Sequence, residues 1–571
     1  MNQFRSFVEP RGHKTFVAKV VSRANNATWL SRALLGLLFV LLGLPAQTIA
    51  KSKPNILILF ADDLGWVDLS SPDTSLGHAS RFFQTPNIDR LAKDGLSFTA
   101  AYTQQNCAPT RASLLSGQYA PNNLVYNVWA LDRELKKLKG KTAIVPTTQR
   151  EKLDPDKPSL FKAMQQAGYL VAHFGKTHGW GNAKDNKLMQ EKFGIDLNYG
   201  AEKKQKILNK KKKKQSVNYW AVKTDKGWQF PNPKKMNKYA QPYSKTYIEK
   251  NLLPFANGND PSTLLNHKKH FTDALTDAVI DVIAGHHHKG NKPLLLNVSY
   301  HTVHSPMVPR PDLHTKYKAL KSSDQRHNTR AKYAAMVEQL DQSVGRILHA
   351  LNDPNGDGNT NDSIRDDTLV FFLSDNGGAH FTDNTPLRNI KGSFFEGGIR
   401  VPFIASWPGV TSPGTQQHEP VHVVDFFPTL LELAQAKAPK KHRLDGESFV
   451  SLMKNHKATM RRDAIYWHFP GYMDTRMSQP NSAINKRFNG KRYKLKYYYE
   501  SMRYELYNIS DDLAEQHDLL VDPAGNESKV IANYFSADLV AWLKENKAAI
   551  GTYRDSGDAV KLPRPTRFSI E

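Results

Sequence analysis

The chain has 571 residues, 39% of them hydrophobic and 10% aromatic, which supplies apolar surface for large cores and excludes a disordered polyelectrolyte. A mean hydropathy of -0.56, with no apolar run near ~20 residues, excludes a multi-span membrane protein. The formal net charge of +25 raises the encounter rate with polyanions.

The first 50 residues read as an export signal. Arg5, Arg11, Lys14, Lys19, Arg23 and Arg32 precede the apolar run Ala33–Leu44, and Pro45 and small residues lead to Ala50. Cleavage there leaves a charge near +20 on a periplasmic or secreted protein. Outside the cytoplasm that charge points to sulfated polysaccharide or an anionic membrane surface rather than nucleic acid; of the two the polysaccharide is the expected partner, with no membrane anchor once the signal is gone. The chain has one cysteine, so no internal disulfide can form and the fold rests on its cores.

Next comes Asn55–Phe60, a continuous apolar run of the kind that forms a strand covered on both faces. Similar runs recur at Tyr169–Phe174, Leu294–Tyr300, Thr368–Leu373 and Val401–Trp407. Helical spacing marks Asn87–Asp94, Ser159–Ala167, Phe271–Ile283 and Tyr333–Leu351. The alternation predicts an α/β domain with a mainly parallel sheet over 51–462. Residues 179–261, rich in Lys, Asn, Pro and Tyr, read as an irregular insertion. Its run Lys203–Lys214 reads as a solvated loop.

From residue 463 short alternating segments appear: Ala464–Phe469, Ser482–Lys486, Tyr493–Tyr499 and Tyr504–Ile509. Asn489-Gly490 is a hairpin turn signal. With the amphipathic Ser528–Asn546, they predict a small C-terminal domain, 463–571, of antiparallel sheet and one helix.

Polar clusters follow the buried strands. Asp62 and Asp63 follow the first, Lys176 and His178 the second, His301 and His304 the third, Asp375 and Asn376 the fourth. In a parallel sheet, ligands bind at the carboxyl ends of strands, so these side chains should share one rim. Three carboxylates and an amide carbonyl make a hard oxygen site. With no second Cys and no His pair at zinc spacing a soft or borderline metal is not expected, and oxygen-only ligation favours Ca²⁺ or Mg²⁺, with Ca²⁺ the first choice. Lysines and histidines around such a site suit an anionic substrate.

The segment Cys107-Ala108-Pro109-Thr110-Arg111, continued by Leu114-Leu115-Ser116-Gly117, resembles the C-x-P-S/T-R signature of the sulfatase family. The resemblance implies an alkaline-phosphatase-like large domain, with a mixed, mainly parallel sheet flanked by helices. It implies that a maturation enzyme oxidises Cys107 to formylglycine, whose hydrate attacks sulfur. It also implies one calcium held by Asp62, Asp63, Asp375, Asn376 and the oxygen made at Cys107. Arg111 would stabilise the formylglycine. Phe174–His178 is similar to the family's G-K-x-H, in which Lys176 binds sulfate and His178 deprotonates the diol. His304-Ser305-Pro306 matches H-x-P, with His304 on sulfate and the leaving oxygen. Lys391-Gly392 before Glu396–Pro402 resembles K-G…E-G-G-x-R-x-P, giving a second sulfate-binding lysine, Lys391. Glu396 and Arg400 fit a structural role. Gln118 and Thr110 depart slightly from the common signature.

Other features carry less. Asp353–Asn359 begins like a calcium loop, but Ile364 stands where the closing Glu belongs, so a polar connection is expected. His286-His287-His288 reads as solvent-facing. Trp467-His468 and Tyr497-Tyr498-Tyr499 read as core before sugar cleft, and His380 is a candidate substrate contact. The leading expectation is hydrolysis of sulfate esters on carbohydrate. Its alternatives are phosphate or phosphonate ester hydrolysis on the same fold, and non-catalytic polyanion binding.

Overall fold

A computed structural model describes residues 53–571 except 132–141, 182–184, 201–204, 209–213, 218–221, 225–226, 230–235, 240, 288–291, 306, 321–329, 474–475, 522–524 and 570–571. The expected export signal, His288, Pro306 and most of the lysine-rich run lie outside the described residues.

The apolar run after the leader forms the strand Asn55–Ala61 at the middle of a nine-stranded sheet. It pairs in parallel with Leu294–Ser299 on one side and Thr368–Ser374 on the other. Leu170–Gly175 and then Leu197–Gly200 extend the parallel side. Beyond Thr368–Ser374 the strand Arg400–Ser406 runs antiparallel, and Leu96–Tyr102 reverses again. Short strands Thr415–Gln417 and Val421–His422 close that edge.

The alternation of the central strand shows why a continuous apolar run was needed. Leu57 and Leu59 face a core built with the helices Pro86–Lys93, Phe271–His287 and Ala331–Asn352. Ile56, Ile58 and Phe60 face the opposite core, which includes side chains of Leu160–Gln166, Phe426–Leu433 and Val450–Lys454. Each such buried side chain stabilises the fold by about 1.5–3 kcal/mol.

Two expectations need correction. The 179–261 segment is not wholly irregular: Leu197–Gly200 joins the main sheet, and Trp180, Met189, Phe193 and Ile195 are core residues. Leu96–Tyr102, which the apolar-run pattern does not mark, is also a strand and is buried at all seven positions. Its Ser97 and Thr99 break the apolar run that marks the other strands.

The C-terminal region contains the four-stranded antiparallel sheet Ala464–Phe469, Asn481–Phe488, Lys491–Tyr498 and Arg503–Asn508, with the helix Asn526–Glu545 against it. The turn between the second and third strands places Asn489 at φ 47 and Gly490 at φ 80, the left-handed pair that a two-residue hairpin demands. Among the described residues no helix is long and apolar enough to cross a membrane.

Candidate active site

The carboxyl ends of the parallel strands meet as the strand order requires. Asp62 and Asp63 leave the central strand, Asp375 and Asn376 leave its neighbour, and Lys176 and His178 follow Leu170–Gly175. Leu96–Tyr102 runs in the same direction as these strands, so the loop after it delivers Cys107 to the same rim. Cys107 is the first residue of the buried helix Cys107–Ser116. The antiparallel strand Arg400–Ser406 begins at this rim, which is why Lys391, just before it, also arrives there.

The distances are short. Asp62, Cys107 and Asp375 offer ligand atoms within 4.8 Å of one another, as do Asp62, Asp63 and His304. Lys176 Nζ lies 2.5 Å from Asp62 Oδ2. Asp63 Oδ1 accepts from Lys391 Nζ at 2.5 Å and from Asn376 Nδ2 at 2.9 Å. His304 Nε2 is 3.6 Å from Asp63 Oδ2. Cys107 Sγ is 3.3 Å from His178 Nδ1 and 3.8 Å from Lys391 Nζ. The turn carrying His178 comes this close because Gly179, at φ +79, has no Cβ; one there would sit 2.4 Å from the Ala108 carbonyl oxygen. Arg111 reaches into the carboxylate layer beside Cys107. Its Nε and Nη2 reach Asp375 Oδ2 at 2.9 and 2.7 Å, and Nη1 donates to Ser299 Oγ.

Burial and like charge work against these acids. Burial opposes ionisation of Asp62, but Lys176 foremost, with His304, Arg111 and Lys391, overrides it and holds the carboxyl well below its ordinary range. Burial likewise opposes Asp63, where Lys391 and His304 prevail. Asp375 is pushed up to about 6 by burial and by the charge of Asp62, with Arg111 pulling the other way. Burial raises the Cys107 thiol despite Lys176 and Lys391, so the sulfur is held as a neutral thiol. Burial and Lys176 keep His178 well below the usual imidazole range, which leaves it a neutral base.

The donor set fits a hard divalent cation. Asp62 Oδ1 and Asn376 Oδ1 are buried and have no hydrogen-bond partner among the described residues. An orphaned acceptor costs about 1–3 kcal/mol, and a cation shared with Asp63 and Asp375 would satisfy both oxygens and relieve the repulsion felt by Asp375.

The structure also shows residues that the sequence pattern left out. Ser299 anchors Arg111. The Tyr333 hydroxyl donates to Asp68 Oδ2 at 2.6 Å and lies 3.2 Å from the Asp63 carbonyl oxygen. Gln105 accepts from Gly392 N at 2.7 Å, and Arg476 donates to the Lys391 carbonyl at 3.2 Å. None carries a local signal: Tyr333 reads as helix core, and Arg476 comes from the C-terminal region. Trp467 and His468 are core, with Trp467 Nε1 donating to Thr103 O and His468 held by Ser482 and Ala549. Tyr499 is buried, and Tyr498 donates to Glu505. His380 is exposed and packs on Phe381. The Asp353 carboxylate accepts from the backbone of Gly356, Asp357 and Gly358, as a polar connection requires.

The model of the sulfatase family matches residues 54–436. The chain belongs to the sulfatase family. The C-terminal model of N-sulphoglucosamine sulphohydrolase matches residues 390–539 of this sulfatase. A protein described as a sulfatase from Formosa agariphila is 45% identical over 525 residues, covering 90% of this chain and 93% of that protein. Human N-acetylgalactosamine-6-sulfatase is 28% identical, over 75% of this chain and 71% of its own. Among solved structures, Ps i-CgsB in complex with k-i-k-neocarrahexaose superposes with a TM-score of 0.59 at 24% identity, covering 86% of this chain and 92% of that one. The sulfatase described here is accordingly a sulfuric ester hydrolase.

Proposed function

We propose that this sulfatase is exported and hydrolyses sulfate esters of carbohydrates, using a formylglycine made from Cys107 by a maturation enzyme, and one calcium. The observation that carries the reading is the position of Cys107: between His178 and Lys391, and within 4.8 Å of ligand atoms of Asp62 and Asp375. Asp62, Asp63, Asp375 and Asn376 would hold calcium, with an oxygen at position 107 completing the set. Bound there, the ion neutralises the carboxylates and polarises a sulfate oxygen as a Lewis acid.

The chain's own groups have separable tasks. Lys176 and Lys391 now pair with Asp62 and Asp63; with substrate present they bind sulfate oxygens and stabilise charge building during transfer. His178, neutral and beside position 107, takes the proton of a 107 hydroxyl so that sulfate can leave. His304 sits across the rim and protonates the departing sugar oxygen. Arg111 fixes Asp375 and so positions the cation site. A carbohydrate substrate is supported by the basic charge of the chain and by the k-i-k-neocarrahexaose bound in the structural neighbour.

Mass spectrometry of the tryptic peptide Asp94–Arg111 from active protein tests the nucleophile, and chelation with calcium restored afterwards tests the ion. The expected peptide carries an aldehyde in place of the thiol, and calcium restores activity that chelation removed. An intact, alkylatable thiol in fully active protein overturns the formylglycine assignment; activity indifferent to chelation overturns the cation.

A further inference from the structure

Beside the catalytic rim lies a cavity of about 620 Å³ lined by Met307, His314, Arg330, Lys332, Tyr333 and Phe381, among others. Its size is that of a site for a ligand of one or two sugar units. Two threads tie it to the reaction centre. Ser305, which also lines it, directly follows His304, and the Tyr333 hydroxyl, donating to Asp68 Oδ2 at 2.6 Å, lies 3.2 Å from the Asp63 carbonyl oxygen.

Among the described residues the lining is cationic: none of those that form it is Asp or Glu, and neither Arg330 nor Lys332 has an acidic partner. Arg330 Nε is buried and lacks a hydrogen-bond acceptor. A guanidinium N–H left in that state is a cost that an anionic oxygen removes. Lys332 is exposed and free to swing over the opening. Arg330 is also the N-cap residue of the 22-residue helix Ala331–Asn352, an end without a side-chain cap, and the helix dipole adds positive potential there. Met307 and Phe381 supply the apolar surface against which the C–H face of a sugar ring packs. Burial, Lys318 and Lys332 together hold the His314 imidazole below its ordinary value, so it offers a neutral hydrogen-bonding edge beside the two cations.

We infer that this cavity is a subsite for a second anionic substituent, a sulfate or a carboxylate, on the sugar unit next to the one that carries the scissile ester. The inference rests on the carbohydrate reading above and narrows it: the preferred substrate is a polyanion, recognised at Arg330 and Lys332 while its ester lies against Lys176 and Lys391.

The test uses oligosaccharide pairs that share one scissile ester. One member has no other anion on the neighbouring unit, one has a second sulfate and one a uronate carboxylate; 4-nitrophenyl sulfate is the control. For the matured enzyme the second anion should raise kcat/KM by about tenfold through KM. In Arg330→Gln/Lys332→Gln that preference should shrink to about twofold or less, with the 4-nitrophenyl sulfate rate unchanged. The sulfate and carboxylate members identify which anion the cavity takes. Calorimetric binding of the same panel to protein whose Cys107 remains a thiol provides a readout without turnover. If the matured enzyme hydrolyses none of the sugars yet the thiol form still binds the second anion through Arg330 and Lys332, the catalytic reading fails and the subsite stands. No gain from a second anion in any pair, or an equal loss on 4-nitrophenyl sulfate in the variant, overturns the subsite.

Discussion

Lys494→Met should destabilise this protein far more than Glu515→Gln, although both remove one charge from one buried cluster. Lys494 Nζ is 2.6 Å from Glu396 Oε1, 2.9 Å from Glu515 Oε1 and 3.0 Å from the Phe394 carbonyl, and all three ionic side chains are fully buried. Glu396 also accepts from Arg400 and from the Tyr102 hydroxyl, both at 2.9 Å. Burial opposes its ionisation, but Lys494 and Arg400 prevail and hold it below the ordinary range. Glu515 differs, because burial, reinforced by the charge of Glu396, outweighs Lys494 and raises its carboxyl. Removing the ammonium leaves a buried carboxylate facing a second acid, which costs about 3–5 kcal/mol for a broken buried pair. Protonation of Glu515 holds the loss near the lower end. Glu515→Gln keeps one oxygen, which can stay on the Glu396 N–H while Lys494 retains Glu396 and the Phe394 carbonyl, so one hydrogen bond, about 1.5 kcal/mol, is lost. Urea is the denaturant of choice, because guanidinium would screen the charges under test. Tryptophan fluorescence should show a large drop in midpoint for Lys494→Met and a small one for Glu515→Gln. The Glu396–Ile399 turn follows Lys391 closely, so Lys494→Met should also lower kcat on 4-nitrophenyl sulfate. Equal midpoints for the two variants, or an unshifted Lys494→Met, would refute this account of the cluster.

Two further outcomes are expected. Lys496 is pushed down to about 7, chiefly by burial, with Glu505 and Glu515 opposing; the unfolded side chain therefore holds more protons above that pH, and stability rises with pH from about 7 towards the ordinary lysine value of ~10.4. Lys496→Met should accordingly raise Tm most at pH 6 and by less at pH 9, and a pH-independent difference would count against the buried ammonium. His304→Ala should slow hydrolysis by roughly 10²–10⁴-fold for esters of sugar alcohols and far less for 4-nitrophenyl sulfate, whose leaving group needs no proton; a uniform loss across leaving groups would remove His304 from that role.

What the sequence disclosed, and what it hid, follow from one physical distinction. A strand covered on both faces is mostly apolar, so Asn55–Ala61, Leu294–Ser299 and Thr368–Ser374 announced themselves even with Asn297 buried inside one of them, as did the polar residues where each run stops. Leu96–Tyr102 did not, because Ser97 and Thr99 are buried as polar residues, and Thr99 Oγ1 meets His418 Nδ1 at 2.8 Å. Contacts across the chain left no local trace at all. Arg111 bonds Asp375, 264 positions away, a contact that no local pattern marks. The acids themselves show why cations had to gather at this rim. Asp62, Asp63 and Asp375 are buried almost completely, so each needs opposite charge nearby to ionise. Lys176, Lys391 and Arg111 supply it from three separate segments, yet Asp375 is still raised and Asp62 Oδ1 still lacks a partner. Fixed side chains thus pair every acid and still leave Asp62 Oδ1 and Asn376 Oδ1 without a partner among the described residues, the two acceptors that a divalent ion would take up.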